Sequence, residues 1–201
     1  MSGYNIVYLD DIMDVLGEEK VKNIINYFSC PMNEDVEFFI KNKAIEFNKH
    51  GYSKTQLVFT SYKKENVLVG YFTIANKNIL VKKDTIKSNT LKKRINKFSN
   101  SVPDIKDYLI TAPLIAQLGK NFTNGYNKLI SGDELLKIAL DQIEYAQKVF
   151  GGKFVYIECE DKPKLIEFYE SNGFSKFNKR TLDSDEINSK SKYLIQLLKY
   201  M

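Results

Sequence analysis

The chain has 201 residues, of which 43% are hydrophobic and 27% charged, and its formal net charge is +5. This length suffices for one folded domain with a buried core, and no apolar run approaches the roughly 20 residues that a membrane-spanning helix needs. Because the first residues lack a basic segment followed by an apolar one, we predict a cytoplasmic protein that makes no contact with membranes.

The first half of the chain carries patterns of both helices and strands. Residues 18–28 repeat apolar side chains at helical intervals, and a second helix is predicted between a cap at Asn33 and an end at Gly51. Branched and aromatic residues at 55–62 and 67–75 flank a polar turn. That arrangement predicts a hairpin of antiparallel strands.

The second half alternates strands with helices. A strand is predicted at 107–121, where Pro113 favours a sheet edge, a break or a bulge. A long helix then begins at Ser131, which fits a capping box with Glu134 three residues later. Residues 153–160 follow as a further strand. A strand, a helix and a strand in succession predict a crossover in this half.

The last part of the chain predicts a loop and a final strand. Residues 192–201 predict a final strand, and the polar segment 178–192 before it predicts a loop. The element order is typical of a mixed α/β fold. We predict one domain over residues 1–201, in which 1–27 form an N-terminal helical extension and 82–100 a basic helical insertion.

The basic segment holds the whole charge imbalance of the chain. Between Lys82 and Asn100 seven basic side chains stand against one acidic side chain, which leaves the remainder close to neutral. One interpretation is a solvated helix face whose apolar residues Leu91, Ile95 and Phe98 point inward. The alternative is contact with a polyanion such as RNA. The side chains that would make this contact are Lys92, Lys93, Arg94 and Lys97.

Cysteine and histidine are scarce, which limits the possible chemistry. Cys30 and Cys159 do not stand in a close pair, so two reduced thiols are expected. His50 is the only histidine and lies at a predicted helix end, where a solvated side chain is the usual arrangement. A catalytic triad or a zinc site built on histidine is therefore not predicted, and no metal is expected.

Residues 163–174, with the sequence PKLIEFYESNGF, predict a short helix with a defined start and stop. Pro163 is compatible with the first turn, and Gly173 can take the left-handed conformation that closes a helix. Phe174 can then fold back over the last turn. Packing alone explains such a helix, and a catalytic role for Tyr169 is the alternative that the rest of the chain must support.

The segment FYESNGF matches the Phe/Leu-Tyr-x-x-x-Gly-Phe pattern of the GNAT superfamily of N-acetyltransferases, and the chain from about Phe28 to its end resembles that family. The resemblance implies a mixed α/β fold with a mostly antiparallel central sheet, a splayed pair of parallel strands and flanking helices. The family's pyrophosphate loop, Gln/Arg-x-x-Gly-x-Gly/Ala, is matched only at Gly132, and the segment after Gly119 looks longer than usual. Residues 35–59 also resemble the branch that includes toxins acetylating aminoacyl-tRNA.

The resemblance also implies a site for acetyl-CoA. The pantetheine arm would enter between strands around residues 116–118 and 157–159, and the pyrophosphate would rest on the N–H groups of residues 129–133. Tyr169 would protonate the departing thiolate, while the general base stays open between Glu158, Glu160 and water. The expected cofactor-binding residues are Ala116, Gln117, Leu118, Lys128, Leu129, Ile130, Ser131, Gly132, Asp133 and Phe168.

The implied activity is acetyl-CoA-dependent transfer of an acetyl group directly to a primary amine. The acceptor stays open between a small molecule, a peptide and an aminoacyl-tRNA, and the oligomeric state between a monomer and a homodimer. An alternative function is a catalytically inactive module of the same fold that binds RNA or a protein partner. Binding of acetyl-CoA without turnover would distinguish this module from the enzyme.

Overall fold

The computed structural model describes residues 3–86, 88–101, 107–182 and 192–201. The chain divides into two compact units. The first unit comprises Met1–Ala75 and Ala116–Leu140, and the second comprises Asn76–Ile115 and Asp141–Met201. Within the described residues, no helix combines the length and the apolar character that a membrane span requires.

Most of the first unit is built from helices packed on an antiparallel sheet. Its elements are β1 (Tyr4–Tyr8), α1 (Leu9–Leu16), α2 (Glu18–Asn26), α3 (Glu34–Asn42), α4 (Ala44–Lys49), β2 (Lys54–Tyr62) and the first part of β3 (Glu65–Val81). It also contains the end of β5 (Tyr108–Lys120) and the beginning of α6 (Gly132–Phe150).

The predicted hairpin is confirmed as β2 and β3, which pair antiparallel across a tight turn. Lys63 and Lys64 occupy this turn with φ values of 51° and 69°, which matches the twist that two-residue hairpins favour. The strand β1 was not predicted. It pairs antiparallel with β2 from Tyr4 opposite Thr60 to Tyr8 opposite Gln56, so the expected helical extension is in fact a strand followed by two helices.

Helices α1 to α4 enclose the core of the first unit. Asn33 caps α3 as predicted, because its side chain accepts hydrogen bonds from the N–H groups of Asp35 and Val36 at 3.1 and 3.4 Å. The expected single helix is interrupted at Lys43, so α3 and α4 are separate. The fully buried side chains of this core are Leu9, Val21, Ile25, Phe28, Ile40, Ala44, Leu57 and Tyr71.

The second unit contains the crossover that the sequence predicts. Its elements are the end of β3, α5 (Asn89–Phe98), β4 (Asn100–Ser101), β5 to Ile115, α6 from Asp141, β6 (Phe154–Glu160), α7 (Pro163–Ser171), β7 (Ser175–Thr181) and β8 (Tyr193–Tyr200). The strand order is β3, β5, β6, β8, β7, with β4 pairing on β5. Strands β5 and β6 are parallel, whereas β8 runs antiparallel to both β6 and β7.

Two predictions about this unit are narrowed or corrected. Of the three alternatives for Pro113, the sheet edge and the break are excluded, because β5 runs through this residue and lies between β3 and β6. The predicted loop at 178–192 begins too early, since residues 178–181 belong to β7. Six of the seven side chains of β7 are polar, and Phe177 is its one buried apolar side chain. The sequence therefore lacks the apolar pattern that indicates a strand. The rest of that loop, residues 183–191, lies outside the described residues.

Candidate active site

The helix α7 ends in a cap that fixes its last turn. The Phe174 N–H donates to the carbonyl of Tyr169 at 3.1 Å, and the Gly173 N–H donates to that of Glu170 at 3.0 Å. Gly173 has a φ of +83°, so the two bonds form a Schellman cap around a left-handed glycine. Lys199 adds a hydrogen bond from Nζ to the carbonyl of Asn172 at 2.6 Å. The predicted start, stop and backfolding of this helix are confirmed.

Tyr169 is enclosed by aromatic rings but its hydroxyl is not held by the protein. The side chain is 7% exposed, and its ring centroid lies 5.0 Å from that of Phe168 and 5.8 Å from that of Phe174. Within the part of the chain that the structure describes, no group hydrogen-bonds to this hydroxyl. A structural tyrosine at such a buried position ordinarily donates to a carbonyl, so this phenol is available to a ligand.

Burial raises the pKa of Tyr169 well above the ordinary value of 10.0, and the nearby Cys159 raises it further. The phenol therefore keeps its proton at neutral pH. Burial likewise raises the pKa of Cys159 to about 12, with Asp161 contributing next. Cys159 thus remains a neutral thiol, as expected for a buried small side chain, and is not a nucleophile at neutral pH.

The parallel strands β5 and β6 share a short ladder. It consists of the pairs Leu114 with Tyr156 and Ile115 with Ile157. In contrast, β6 pairs with β8 along all seven of its residues. Along β5 the side chains at 112–115 are buried, those at 116–118 are partly exposed and Gly119 is buried again. A partly exposed stretch inside a strand is the feature expected where a ligand lies against it.

Both predicted candidates for the general base carry a cationic partner. Glu158 accepts hydrogen bonds from Arg180 Nε at 2.8 Å and from Gln196 Nε2 at 2.7 Å, each on a different oxygen. Its side chain is 11% exposed. Glu160 forms an ion pair with Lys162. Each of the two carboxylates therefore lies beside a cation, and the assignment of a general base stays a prediction.

The segment between β5 and α6 contains the predicted pyrophosphate contacts. Its residues Thr123–Lys128 form 3₁₀ turns that are interrupted at Asn124 and Gly125, whose φ angles are positive. Lys120 stabilises this segment, because its Nζ donates to the carbonyls of Asn127 at 3.0 Å and Ile130 at 3.2 Å. The ammonium group therefore links two carbonyls of the segment that leads into α6.

The start of α6 has the predicted capping box. The Ser131 N–H donates to Glu134 Oε2 at 2.8 Å, and the Glu134 N–H donates to Ser131 Oγ at 3.1 Å. The bond from the Ser131 N–H is the main reason that the pKa of Glu134 lies below its ordinary value. Tyr4 donates from its hydroxyl to the carbonyl of Leu129 at 2.9 Å. The Ser131 N–H is thus occupied by Glu134 instead of facing an anion.

The predicted cofactor residues fall into both units. Phe168, like Tyr169, belongs to the second unit, and the remaining nine belong to the first. Of those nine, Lys128, Ser131 and Asp133 are exposed, whereas Ile130 is buried and points into the core. The partly exposed members are Ala116, Gln117, Leu118, Leu129 and Gly132.

Sequence reasoning missed one polar contact next to this group. Gln117 Nε2 donates a hydrogen bond to Asp35 Oδ2 at 3.1 Å, although the two residues are separated by 82 positions. Both side chains are partly exposed. Asp35 lies in the first turn of α3, where an acidic residue has the ordinary role of complementing the helix dipole. No local pattern could therefore have identified its position beside β5.

The basic helix is confirmed as α5, and its two faces differ as expected. Leu91 and Ile95 are buried, whereas Lys93, Arg94 and Lys97 are exposed. The expectation for the third apolar residue is wrong. Phe98 is 41% exposed, and its ring centroid lies 5.8 Å from that of Tyr200. The Arg94 guanidinium lies 4.4 Å from the centre of the Tyr200 ring, which holds this cation at the surface.

Comparison with known proteins tests the predicted fold. No family model and no curated protein matches the sequence. A tyrosine-to-phenylalanine variant of KacT matches with a TM-score of 0.62 and 15% identity over 97% of this chain and 95% of that chain. AtaT complexed with acetyl-methionyl-tRNAfMet matches with a TM-score of 0.61 and 14% identity, over 96% and 93% of the two chains.

A third match is an AtaT toxin variant bound to the C-terminus of the antitoxin AtaR and to acetyl-CoA. It has a TM-score of 0.57 and 13% identity, over 98% of this chain and 93% of that chain. These similarities extend over nearly the full length of both proteins in each pair. The fold that the FYESNGF motif predicts is therefore confirmed, and the chain has the GNAT fold of the KacT and AtaT toxins.

Proposed function

We propose that this protein is an acetyl-CoA-dependent N-acetyltransferase that transfers the acetyl group directly to a primary amine. The observation that carries the proposal is the buried Tyr169 phenol, whose hydroxyl has no partner among the described residues. The fold supports the same activity, because AtaT structures of this fold contain acetyl-CoA and acetyl-methionyl-tRNAfMet. The reaction would require no covalent enzyme intermediate, in keeping with the neutral Cys159 thiol.

Acetyl-CoA fits the groups that the chain offers. Alternate peptide groups of an extended strand point to its two edges, so β6 can offer backbone donors and acceptors to the pantetheine arm beyond its pairs with β5. Residues 116–118 of β5 form a second, partly exposed segment. Because the N–H groups of Leu129 and Ser131 are bonded within the protein, the pyrophosphate would be held by other N–H groups at the start of α6, by the dipole of that helix and by the exposed Lys128. Phe168 would pack beside the thioester end.

The proposed reaction uses one protein group for proton transfer. The acceptor amine, after losing a proton to water, attacks the acetyl carbonyl carbon, so that a C–N bond forms and the C–S bond breaks. The departing thiolate takes the proton of the Tyr169 hydroxyl, and the nitrogen loses its second proton as it becomes an amide. That proton returns to the phenolate. A phenol whose pKa is raised by burial remains available as this donor throughout the neutral range.

For the acceptor we propose the amine of an aminoacyl-tRNA. AtaT is found with an acetylated aminoacyl-tRNA, and the exposed face of α5 presents cations that suit a phosphate backbone. The candidate contacts are Lys93, Arg94 and Lys97, with Lys92 partly exposed beside them. A small free amine or a peptide amine would not require such a surface.

The test combines binding with turnover. Calorimetric titration with acetyl-CoA comes first, followed by an assay of free thiol release with total tRNA charged with amino acids, uncharged tRNA and a panel of polyamines and peptides. We expect acetyl-CoA to bind and thiol release to depend on charged tRNA. Absence of acetyl-CoA binding would contradict the proposal. Binding without turnover on any acceptor would instead favour the inactive module.

A further inference from the structure

Asp35 differs from Glu37, Glu158 and Glu160 in having no cationic partner among the described residues. Glu37 pairs with Lys41 at 2.6 Å, and Glu158 and Glu160 pair with an arginine and a lysine as described above. Among the described residues, Asp35 has no cation beside it, and its Oδ2 accepts only the neutral amide of Gln117. Its full negative charge is therefore available to a ligand.

Gln117 fixes where this charge lies. It belongs to the partly exposed stretch of β5 at 116–118, against which we propose that the pantetheine arm, which carries the acetyl group at its end, lies. The hydrogen bond of 3.1 Å from Gln117 Nε2 holds Asp35 Oδ2 at the side of this strand. The second oxygen, Oδ1, accepts no bond from any described residue. An oriented carboxylate with one open oxygen is suited to receive a hydrogen bond from outside the protein.

The charge of the half-buried Asp35 acts on the buried side chain of Tyr71. Behind it lies the buried Tyr71, whose hydroxyl donates to the carbonyl of Val36 at 2.6 Å. Burial raises the pKa of Tyr71 well above its usual range, with smaller contributions from Cys30 and from the negative charge of Asp35. Because the interior on this side is apolar, the field of the carboxylate is screened less there than it would be in water.

We propose that Asp35 binds the protonated amine of the acceptor and orients it toward the acetyl group, with Gln117 as the residue that positions the carboxylate. This inference rests on the proposed function and names the class of acceptor. A primary amine is an ammonium ion at neutral pH, and a carboxylate gives it a charge-assisted hydrogen bond. An acceptor with an anionic group would be repelled, and a hydroxyl would donate a hydrogen bond without bringing a positive charge, so the site favours cationic amines.

The experiment separates this role from support of the helix. Asp35→Asn removes the charge but keeps an oxygen for Gln117, Asp35→Glu restores the charge, and Glu34→Gln removes an exposed carboxylate from the same helical turn. Initial rates with acetyl-CoA and aminoacyl-tRNA give KM and kcat for each variant, and calorimetry gives the affinity for acetyl-CoA. Thermal melting checks that each variant is folded.

We expect Asp35→Asn to raise the KM for aminoacyl-tRNA roughly tenfold to a hundredfold, the range that loss of one hydrogen bond between charged groups produces. Acetyl-CoA affinity should stay unchanged, Asp35→Glu should recover part of the loss, and Glu34→Gln should behave as the original protein. An unchanged KM in Asp35→Asn, or an equal rise in Glu34→Gln, overturns the inference. A protein that binds acetyl-CoA but acetylates no acceptor overturns the proposed function and this inference together, and the unmodified chain already reveals that result.

Discussion

The ring of Phe174 packs edge-on against the ring of Tyr169, and the backbone N–H of Phe174 donates to the Tyr169 carbonyl at 3.1 Å. One residue beyond the helix thus fixes both the backbone and the side chain of the proposed acid. The cap restricts the rotation of the last turn, and the aromatic contact restricts the ring. A phenol that must meet a sulfur atom within hydrogen-bond reach benefits from both restrictions.

Tyr169→Phe is the direct test of the acid. Removing the hydroxyl deletes a proton donor, so we expect kcat to fall by roughly a hundredfold to ten-thousandfold. The free energy of unfolding should change by less than about 1 kcal/mol, because the hydroxyl has no protein partner to lose. Thiol release gives the rate, and urea unfolding gives the stability. Wild-type turnover in this variant would remove Tyr169 from the mechanism.

The pH profile offers a second check on the same residue. The folded pKa of Tyr169 lies above the ordinary value of 10.0, so the phenol stays protonated, and active as a donor, past the pH at which free tyrosine ionises. We therefore expect no loss of kcat from tyrosine ionisation between neutral pH and 10.0. Rates measured across this interval test the expectation, with correction for the decay of the thioester. A basic limb that vanishes in Tyr169→Phe would contradict it.

Gly173→Ala tests the cap itself. An added Cβ would lie 3.1 Å from Lys199 Nζ, and the φ of +83° is unfavourable for any residue with a side chain. We expect a loss of about 1 to 2 kcal/mol in the free energy of unfolding, together with lower kcat because the last turn of α7 is displaced. Urea unfolding and thiol release measure the two effects.

Gly51→Ala is the matched control for the cap. Gly51 ends α4 with a φ of +71°, and no atom lies within 4 Å of an added Cβ. Its N–H donates to the carbonyl of Asn48 at 3.2 Å, and the Tyr52 N–H donates to that of Phe47 at 3.0 Å, which is the same pair of cap bonds. This variant therefore reports the cost of strain at a left-handed helix cap, at a position that carries no predicted site residue. Equal stability and equal activity in Gly173→Ala and Gly51→Ala would show that the cap of α7 does not position Tyr169.

Local patterns were sufficient to predict most elements and the cap of α7. Asn33, Ser131 and Gly173 each act on neighbouring residues, so their spacing in the sequence is enough to indicate their role. Strand β1 was missed because its five residues gain their hydrogen bonds from β2, which lies about fifty positions further along the chain. Strand β7 was missed because it carries polar side chains and is held by pairing with β8.

The candidate site was predictable only in part, for the same physical reason. The motif around Tyr169 is contiguous and was found, whereas the contact between Gln117 and Asp35 joins residues 82 positions apart. The carboxylates chosen as base candidates, Glu158 and Glu160, belong to β6, and their ion pairs with Arg180 and Lys162 were not predicted. Sequence spacing gives the face on which a charge lies. It does not give the partner that the tertiary fold brings to that charge.

Lys120→Met tests the turn proposed to hold the pyrophosphate. Its ammonium donates to the carbonyls of Asn127 and Ile130, so its removal releases both ends of the turn. We expect the Kd for acetyl-CoA to rise about tenfold, in line with the loss of hydrogen bonds from a charged group, while kcat at saturating acetyl-CoA changes little. Calorimetry and saturation kinetics measure the two quantities.

Tyr4→Phe serves as the comparison for this turn. It removes a single neutral hydrogen bond to the carbonyl of Leu129 and leaves Lys120 in place. Its effect on the Kd for acetyl-CoA should be smaller than that of Lys120→Met. If Lys120→Met binds acetyl-CoA as tightly as the original protein, the pyrophosphate does not depend on the shape of this turn.

Charge reversal on α5 tests the proposed binding of tRNA. Lys93 and Lys97 are exposed on one face of the helix, and Lys93→Glu with Lys97→Glu would replace attraction to phosphates by repulsion. The control is Lys20→Glu with Lys64→Glu, which changes the net charge equally at two exposed positions in the first unit. We expect weaker tRNA binding only in the α5 variant.

The salt dependence gives a second measure of this contact. A plot of log affinity against log salt concentration should be flatter for the α5 variant, by roughly 0.7 to 0.9 in slope for each phosphate that the helix no longer neutralises. Filter binding at several salt concentrations measures the affinity and the slope. Equal weakening in the two variants would mean that overall charge, and not this helix, attracts the tRNA.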